Sequence, residues 1–290
     1  MTDIEKMNIQ WYPGHMTKTR RQIEADLKQV DAVCEIVDAR IPISSRNPDI
    51  DAICGNKPRI IVLNRMDLAD PAATKRWSAY FKGKGMAVIA TDCKSKKGIA
   101  DFTPAARIAC AEKIQRDQSR GMSRPIRVMV VGIPNVGKST LINQISGRKG
   151  AKAENRPGVT RGKQWVTVDS SLLLLDTPGI LWPKFEDPEV GMMLAYTGAV
   201  KEGVIDLEEL ACRLMELLNK YYPNTLLERY KIEAQPETKG YELLEMAGRK
   251  RGFLLARGEI HTERMAKVLI DEFRSGKLGR FTLEMPEDME

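Results

Sequence analysis

The 290-residue chain holds no apolar run of the roughly 20 residues needed to cross a bilayer; Ser171-Leu-Leu-Leu-Leu-Asp176 is long enough only for a strand. Its first residues, Met1-Thr-Asp-Ile-Glu-Lys6, lack the apolar core of a secretory leader and the acid-poor character of a transit peptide, so a cytoplasmic location without membrane attachment is expected. The five cysteines (Cys34, Cys54, Cys93, Cys110, Cys212) are scattered and odd in number, with no metal-type pairing. That excludes a disulfide framework and reads as reduced, mostly buried thiols. Internal repeats and low-complexity tracts are absent, and only two histidines, His15 and His261, are available for acid–base work near neutrality.

What is present is a basic, ordinary globular composition: 42% hydrophobic, 29% charged, net charge +7. Such charge favours a polyanionic partner without establishing one. Short apolar runs, Ala32–Val37, Arg59–Leu63, Ala87–Ala90, Val128–Val131, Gln164–Val168 and Leu172–Leu175, alternate with helical or loop stretches. Runs apolar on both faces predict an α/β fold with a mostly parallel sheet covered by helices on both sides. A basic helix is expected over Thr17–Val30, with Ile23, Leu27 and Val30 on one face, and Gln115–Arg124 reads as a linker. From about Asp187 the pattern is helical, with Asp206–Tyr221, Lys239–Lys250 and Glu259–Ser275 as the best candidates. Two domains are expected: 1–185, carrying the sheet, and 186–290, smaller and all-helical.

Gly132-Ile-Pro-Asn-Val-Gly-Lys-Ser139 fits the P-loop pattern, after the strand-like Arg127–Val131 and before a helical pattern. Backbone N–H groups freed by Gly132 and Gly137, with a helix N-terminus behind them, suit phosphate oxygens. Lys138 would bridge the β and γ phosphates, with Asn135, Val136, Gly137 and Thr140 around them, and the Ser139 hydroxyl would hold Mg²⁺. Asp176-Thr-Pro-Gly179 follows an apolar strand as the Mg²⁺-linked Asp-x-x-Gly does in GTPases, Asp176 acting through water and the Gly179 N–H approaching the γ-phosphate. Thr160, in Arg156-Pro-Gly-Val-Thr160, stands where a switch threonine completes the metal shell.

Asn64-Arg-Met-Asp67 is close to the Asn-Lys-x-Asp signature that reads guanine, with Arg65 in place of lysine and Met66 at the variable position. Asp67 can accept from guanine N1–H and its exocyclic amine, a pair adenine does not offer. The second base loop is expected at Thr91-Asp92-Cys93-Lys94. The base reader thus precedes the phosphate loop, the reverse of the ordinary order, which predicts a circularly permuted P-loop GTPase domain. Permutation costs little chemically, because ligands of open α/β sheets bind at the carboxyl ends of strands whatever the threading.

These motifs, with Trp11-Tyr-Pro-Gly-His-Met16, Asp38-Ala-Arg-Ile-Pro-Ile-Ser-Ser-Arg-Asn-Pro48 and Asp271-Glu-Phe-Arg-Ser-Gly-Lys-Leu-Gly-Arg280, make the chain resemble the YlqF/RbgA family of circularly permuted ribosome-assembly GTPases over essentially its whole length. The resemblance implies hydrolysis of GTP to GDP and phosphate, coupled to maturation of the large ribosomal subunit. It further implies Mg²⁺ with K⁺ as an optional second ion, contact with rRNA and ribosomal proteins of the subunit precursor, and a monomeric protein. The pattern departs at Arg65, at Cys93 and around Arg257–Thr262. The glutamine that orients water in many GTPases is missing: Ile180, Leu181 and Trp182 follow Gly179. The resemblance points to His15 as the catalytic replacement; a structural histidine in an ordered turn is the alternative. Asn135 is a residue type that helps hold K⁺, and it also occurs in GTPases without that dependence. Two other classes stay open on the residues alone, a signalling GTPase with a protein effector and a hydrolytically dead GTP-dependent RNA-binding module. The Asp38–Pro48 loop has no mechanism legible in the sequence.

Overall fold

The computed structural model describes residues 23–147, 164–177, 187–200 and 206–289. They fall into two compact units, one of residues 23–147, 164–177 and 284–289, the other of 187–200 and 206–283.

The first unit is a six-stranded sheet: β1 (Ala32–Asp38), β2 (Arg59–Asn64), β3 (Ala87–Thr91), β4 (Ile126–Val131), β5 (Gln164–Asp169) and β6 (Leu172–Asp176), in spatial order β3-β2-β1-β4-β6-β5. All pairings are parallel except β5 with β6, an antiparallel edge hairpin. The expected runs became strands, each one or two residues longer at an end. β1 and β2 are buried throughout, which is why they read as continuous apolar runs rather than alternating ones. Chain order runs outward from β1 through β2 to β3, then resumes on the other side of β1 with β4. That reversal is the point where an open α/β sheet leaves a crevice at its carboxyl edge.

In the same unit lie α1 (Ile50–Cys54), α2 (Pro71–Gly83), α3 (Phe102–Ala109), α4 (Ala111–Ser119) and α5 (Lys138–Ser146). α2 starts as its sequence dictates: Pro71 takes the first helical position, and Asp70 accepts from the N–H groups of Ala72 (2.7 Å) and Ala73 (3.0 Å). Its Trp77 and Phe81 stack at 5.7 Å and pack with Val37, Ile61 and Leu63. The expected linker over Gln115–Arg124 is corrected: α4 continues through Ser119, and only the residues after it lead into β4. Exposed helices of this polarity carry little apolar signal, so the periodicity missed it. Of the expected N-terminal helix, 23–27 is helical and Ile23, Leu27 and Val30 pack on Val33, Met129 and Leu175; Thr17–Gln22 lie outside the described residues.

The second unit is helical: α6 (Pro188–Thr197), α7 (Leu207–Tyr221), α8 (Pro223–Tyr230), α9 (Gly240–Lys250) and α10 (Thr262–Ser275). α7 begins at the expected place because Asp206 accepts from the N–H groups of Glu208 (2.8 Å) and Glu209 (3.0 Å). The expected start of α10 at Glu259 moves to Thr262, because Leu254 pairs with Ile260 and His261 Nδ1 accepts from the Arg264 N–H at 3.4 Å. Glu272 is buried on α10, accepting from Tyr230 Oη (2.8 Å), Arg229 Nε (3.0 Å) and Arg251 Nη2 (3.0 Å). Burial raises its pKa, but the bonds from Arg229 and Tyr230 and the charge of Arg251 outweigh that, leaving the carboxyl below the usual glutamate value. A depressed folded pKa contributes stability above the unfolded value of about 4.3 and loses it as pH falls through the folded one. Melting temperatures of wild type and Glu272→Gln should therefore differ by a constant amount above about pH 5.5 and converge as pH drops below about 4. A difference independent of pH would show that charge at Glu272 is immaterial.

Glu284–Met289 belong to the sheet unit, whereas the sequence assigns all of 186–290 to the helical domain. The Glu284 carboxylate accepts from the backbone N–H groups of Ile43 (2.7 Å) and Ser44 (3.0 Å), and its carbonyl accepts from Trp77 Nε1 (2.9 Å). Among the described residues no helix is long and apolar enough to cross a membrane.

Candidate nucleotide site

Four strand ends deliver the predicted residues to one edge of the sheet: β2 leads into Asn64–Asp67, β3 into Thr91–Lys94, β4 into the loop from Gly132, and β6 into Asp176. The register sets Asp38 beside Asn64, Asn64 beside Thr91 and Val130 beside Asp176, so loops remote in sequence emerge side by side.

The phosphate loop closes onto α5, whose first residue is Lys138. Asn135 (φ 62°) and Gly137 (φ 102°) hold the left-handed conformations that turn successive backbone N–H groups inward. Gly132 has a second reason to be glycine, since a Cβ there would sit 2.6 Å from Ile36 Cγ2 on β1. At Gly137 a Cβ would strike the Asn64 amide. Packing therefore leaves no room for a Cβ at either glycine.

Lys138 is buried and paired with the Asp176 carboxylate through Oδ1. Burial pulls the ammonium pKa down, and Asp176 opposes that pull. The adjacent Thr177 hydroxyl donates to the Val130 carbonyl at 2.8 Å, tying the end of β6 to β4. Ser139 and Thr140 follow in the first turn of α5, both half-buried.

Asn64, expected only to read the base, is the node of the site. Its Nδ2 donates to the Val136 carbonyl in the phosphate loop at 2.7 Å. Its Oδ1 accepts from the Thr91 hydroxyl (3.1 Å) and the Cys93 N–H (3.4 Å) in the second base loop. One side chain thereby fixes three loops. Arg65, in the left-handed region (φ 61°), donates through Nη2 to the Asn135 carbonyl at 2.7 Å. The Met66 N–H donates to the Thr91 carbonyl at 3.1 Å, which leaves Asp67 half-buried at the mouth of the base loops.

Asp92 spends its carboxylate on its own turn, accepting from the N–H groups of Lys94 (2.9 Å) and Ser95 (3.3 Å). Those bonds outweigh the raising effect of burial, and its pKa lies below the usual value. Cys93 is buried beside Thr91, and burial pushes its thiol up to about 11, so it stays neutral. His15, Thr160 and Gly179 lie outside the described residues.

The residues that sequence reasoning left without a mechanism are Asp38 and Arg40. Both are buried: the Asp38 carboxylate accepts from the Arg40 N–H (3.0 Å), Arg40 Nε (2.9 Å) and Arg40 Nη2 (2.7 Å), and faces Arg65 Nε at 3.7 Å. Burial would raise the Asp38 pKa, but Arg40 outweighs it with help from Arg65, and the net shift is downward. Ser45 completes the turn, its Oγ accepting from the Asp38 N–H at 3.0 Å and donating to the Ile41 carbonyl at 2.7 Å. The only signal in the sequence was the Asp-Ala-Arg tripeptide at a strand end.

A parallel sheet whose P-loop strand carries an antiparallel hairpin on one side, and whose guanine-type loop comes earlier in the chain, defines a circularly permuted P-loop GTPase, an enzyme that hydrolyses GTP. A family model described as "50S ribosome-binding GTPase" matches residues 127–211. Ribosome biogenesis GTPase A of Bacillus cereus is 46% identical over 283 residues, 97% of this chain and 95% of that protein. Its counterpart in Bacillus licheniformis is 47% identical over 284 residues, 98% of this chain and all of that one. A solved structure of GNP-bound YlqF from T. maritima is similar at a TM-score of 0.62 and 30% identity, covering 93% of this chain and 99% of that chain. The chain belongs to the ribosome biogenesis GTPase A family, the YlqF/RbgA family.

Proposed function

We propose that the chain hydrolyses GTP to GDP and phosphate as an assembly factor in maturation of the large ribosomal subunit, and that the ribosomal particle activates it. The convergence of Asn64 on both the phosphate loop and the second base loop carries the nucleotide reading. The names of relatives matching almost the whole chain carry the ribosomal reading.

In this reading Asp67 selects guanine, the stem of Arg65 and the Met66 and Cys93 segments flank the base, and Asp92 shapes the second base loop. The backbone of Asn135–Gly137, Lys138 and Thr140 hold phosphates, and the Gly179 N–H faces the γ-phosphate. The donor set suits a hard cation: Ser139, Thr160 and Asp176 offer oxygen only, and Mg²⁺ favours one or two carboxylates completed by substrate phosphates. When bound, Mg²⁺ would neutralise charge on the phosphates. Asn135 is the residue toward which a K⁺ would be directed. The Lys138–Asp176 pair holds two opposite charges ready for exchange, the ammonium for phosphate and the carboxylate for the metal's water shell. A neutral imidazole can accept a hydrogen bond from water, and His15 would take that role toward the attacking water in place of the missing glutamine.

Residues 1–185 would carry this chemistry and 186–290 most of the rRNA contact, in a cytoplasmic monomer. The basic residues of the helical unit differ in what they face. Arg251 is engaged with Glu272, and Arg274 with the carbonyls of Ala195 (2.9 Å) and Tyr196 (3.2 Å), whereas Arg249, Lys250, Lys277 and Arg280 are exposed. Lys94, Lys96 and Lys97 are exposed on the base-loop side. Exposed cations of this kind give salt-dependent affinity for rRNA backbone.

The test is turnover at saturating GTP with and without purified large-subunit precursor. Intrinsic hydrolysis should be slow and strongly stimulated, and His15→Ala should reduce the stimulated rate by roughly 10²–10⁴-fold, the usual worth of a positioned acid–base group, while GTP affinity and particle binding persist. No stimulation by the particle would sink the activation step. An unchanged stimulated rate in the variant would leave His15 structural.

A further inference from the structure

We infer that Asp38 is a positioning residue for nucleotide binding, acting through Arg65 on the phosphate loop; this rests on reading Asn64–Asp67 as the base reader. Asp38 ends β1, at the strand where chain order reverses and the crevice opens. It stands in register with Asn64, and the Ala39 N–H donates to the Asn64 carbonyl at 2.8 Å, so β1 and β2 are locked together one residue before Arg65.

A buried ion pair is a poor device for stability alone, since the cost of desolvating both groups commonly cancels their attraction. The Asp38–Arg40 pair, at 3% and 1% side-chain exposure, therefore calls for another reason. Its geometry supplies one. Arg40 takes Oδ1 through Nε and Oδ2 through Nη2, so the carboxylate cannot rotate, and Oδ2 is left facing Arg65 Nε at 3.7 Å. Arg65 then extends its Nη2 to the Asn135 carbonyl at 2.7 Å. One planar guanidinium spans from a fixed buried charge to the peptide at the apex of the phosphate loop.

This arrangement also explains the departure from the usual lysine. An ammonium is a single point on a flexible stem and cannot address two partners from rigidly spaced nitrogens, whereas a guanidinium can. The carboxylate at Asp38 fixes the plane of Arg65. Arg65 fixes the Asn135 carbonyl, and with it the left-handed turn (φ 62°) that aims the following N–H groups.

The experiment is a double-mutant cycle read by release of fluorescently labelled GDP from the full-length protein. Asp38→Asn, Arg65→Ala, the double variant and Asp67→Asn are compared. Asp38→Asn should speed release about tenfold, within the coupling range of residues sharing one network. In the Arg65→Ala background the same change should add less than about twofold. A merely structural Asp38 would act equally in both backgrounds, and that result, or no effect of Asp38→Asn alone, overturns the proposal. A second measurement needs no change at Asp38: the Arg65 Nε–H order parameter in wild-type protein should approach the rigid-backbone value of about 0.85. A value below about 0.6 would mean that nothing holds the guanidinium, and would overturn the proposal too. Asp67→Asn separates the two layers, because unaltered guanine affinity there defeats the base-reading assignment whatever the cycle shows.

Discussion

Lys138→Ala is expected to lower GTP turnover by about 10²–10³-fold, the usual loss when one preorganised charge is removed from a developing oxyanion. The same change has a second effect that must be separated from the first. Lys138 and Asp176 are buried together, so deleting the cation strands a carboxylate in a low-dielectric site. Breaking a buried pair by removing one partner typically costs about 3–5 kcal/mol of stability. Melting temperature should therefore fall alongside turnover, and Lys138→Ala/Asp176→Asn should recover stability without recovering activity. Turnover should be measured at a temperature where circular dichroism shows the variant folded. A folded Lys138→Ala protein with turnover within threefold of wild type would remove the lysine from the phosphate site. Ser139→Ala provides the parallel test of the metal assignment, since its turnover should lose its normal dependence on Mg²⁺ concentration.

Asp67→Asn is expected to weaken GTP binding by roughly 10²–10⁴-fold, because two charge-assisted hydrogen bonds contribute about 1.5–3 kcal/mol each. The asparagine should in turn favour xanthosine triphosphate, which presents a carbonyl where guanosine presents its amine. The protein supports a clean reading of this experiment. Asp67 is half-buried at the rim, whereas Asn64 before it holds the phosphate loop and the second base loop together. Asn64→Ala should therefore damage the site as a whole, and Asp67→Asn should change selectivity while the loops stay in place. Titration of both nucleotides against both proteins decides it, and unchanged GTP affinity in Asp67→Asn defeats the assignment.

β1, β2, β4 and β6 were legible because burial in a parallel sheet leaves nearly uninterrupted apolar runs; all six runs became strands, β5 as the exposed antiparallel edge. The phosphate loop was legible because glycine spacing is set by backbone conformations that few other residues tolerate, as Gly137 at φ 102° illustrates. The helix of Gln115–Ser119 was not legible, since a solvated helix has no apolar stripe to announce it. Nor was the return of the chain to the sheet unit at Glu284. Its evidence is a carboxylate meeting two N–H groups some 240 positions away in sequence. Contacts of that separation leave no periodicity.

By itself, the sequence determined the sheet, the reversed order of base reader and phosphate loop, and the residue types gathered at the strand ends. Those follow from local rules, in which hydrophobic runs make buried strands and glycine permits tight turns. Tertiary structure alone decided which loops are joined and by what. It made Asn64 a three-loop clamp, gave Gly132 its second constraint against Ile36, and turned the Asp38–Pro48 loop from a bare signature into a buried charge aimed at Arg65. The physical reason is that hydrogen bonds and ion pairs act over about 3–4 Å regardless of separation along the chain. Only the registers of β1 against β2 and β4, and of β2 against β3, bring these groups within that distance.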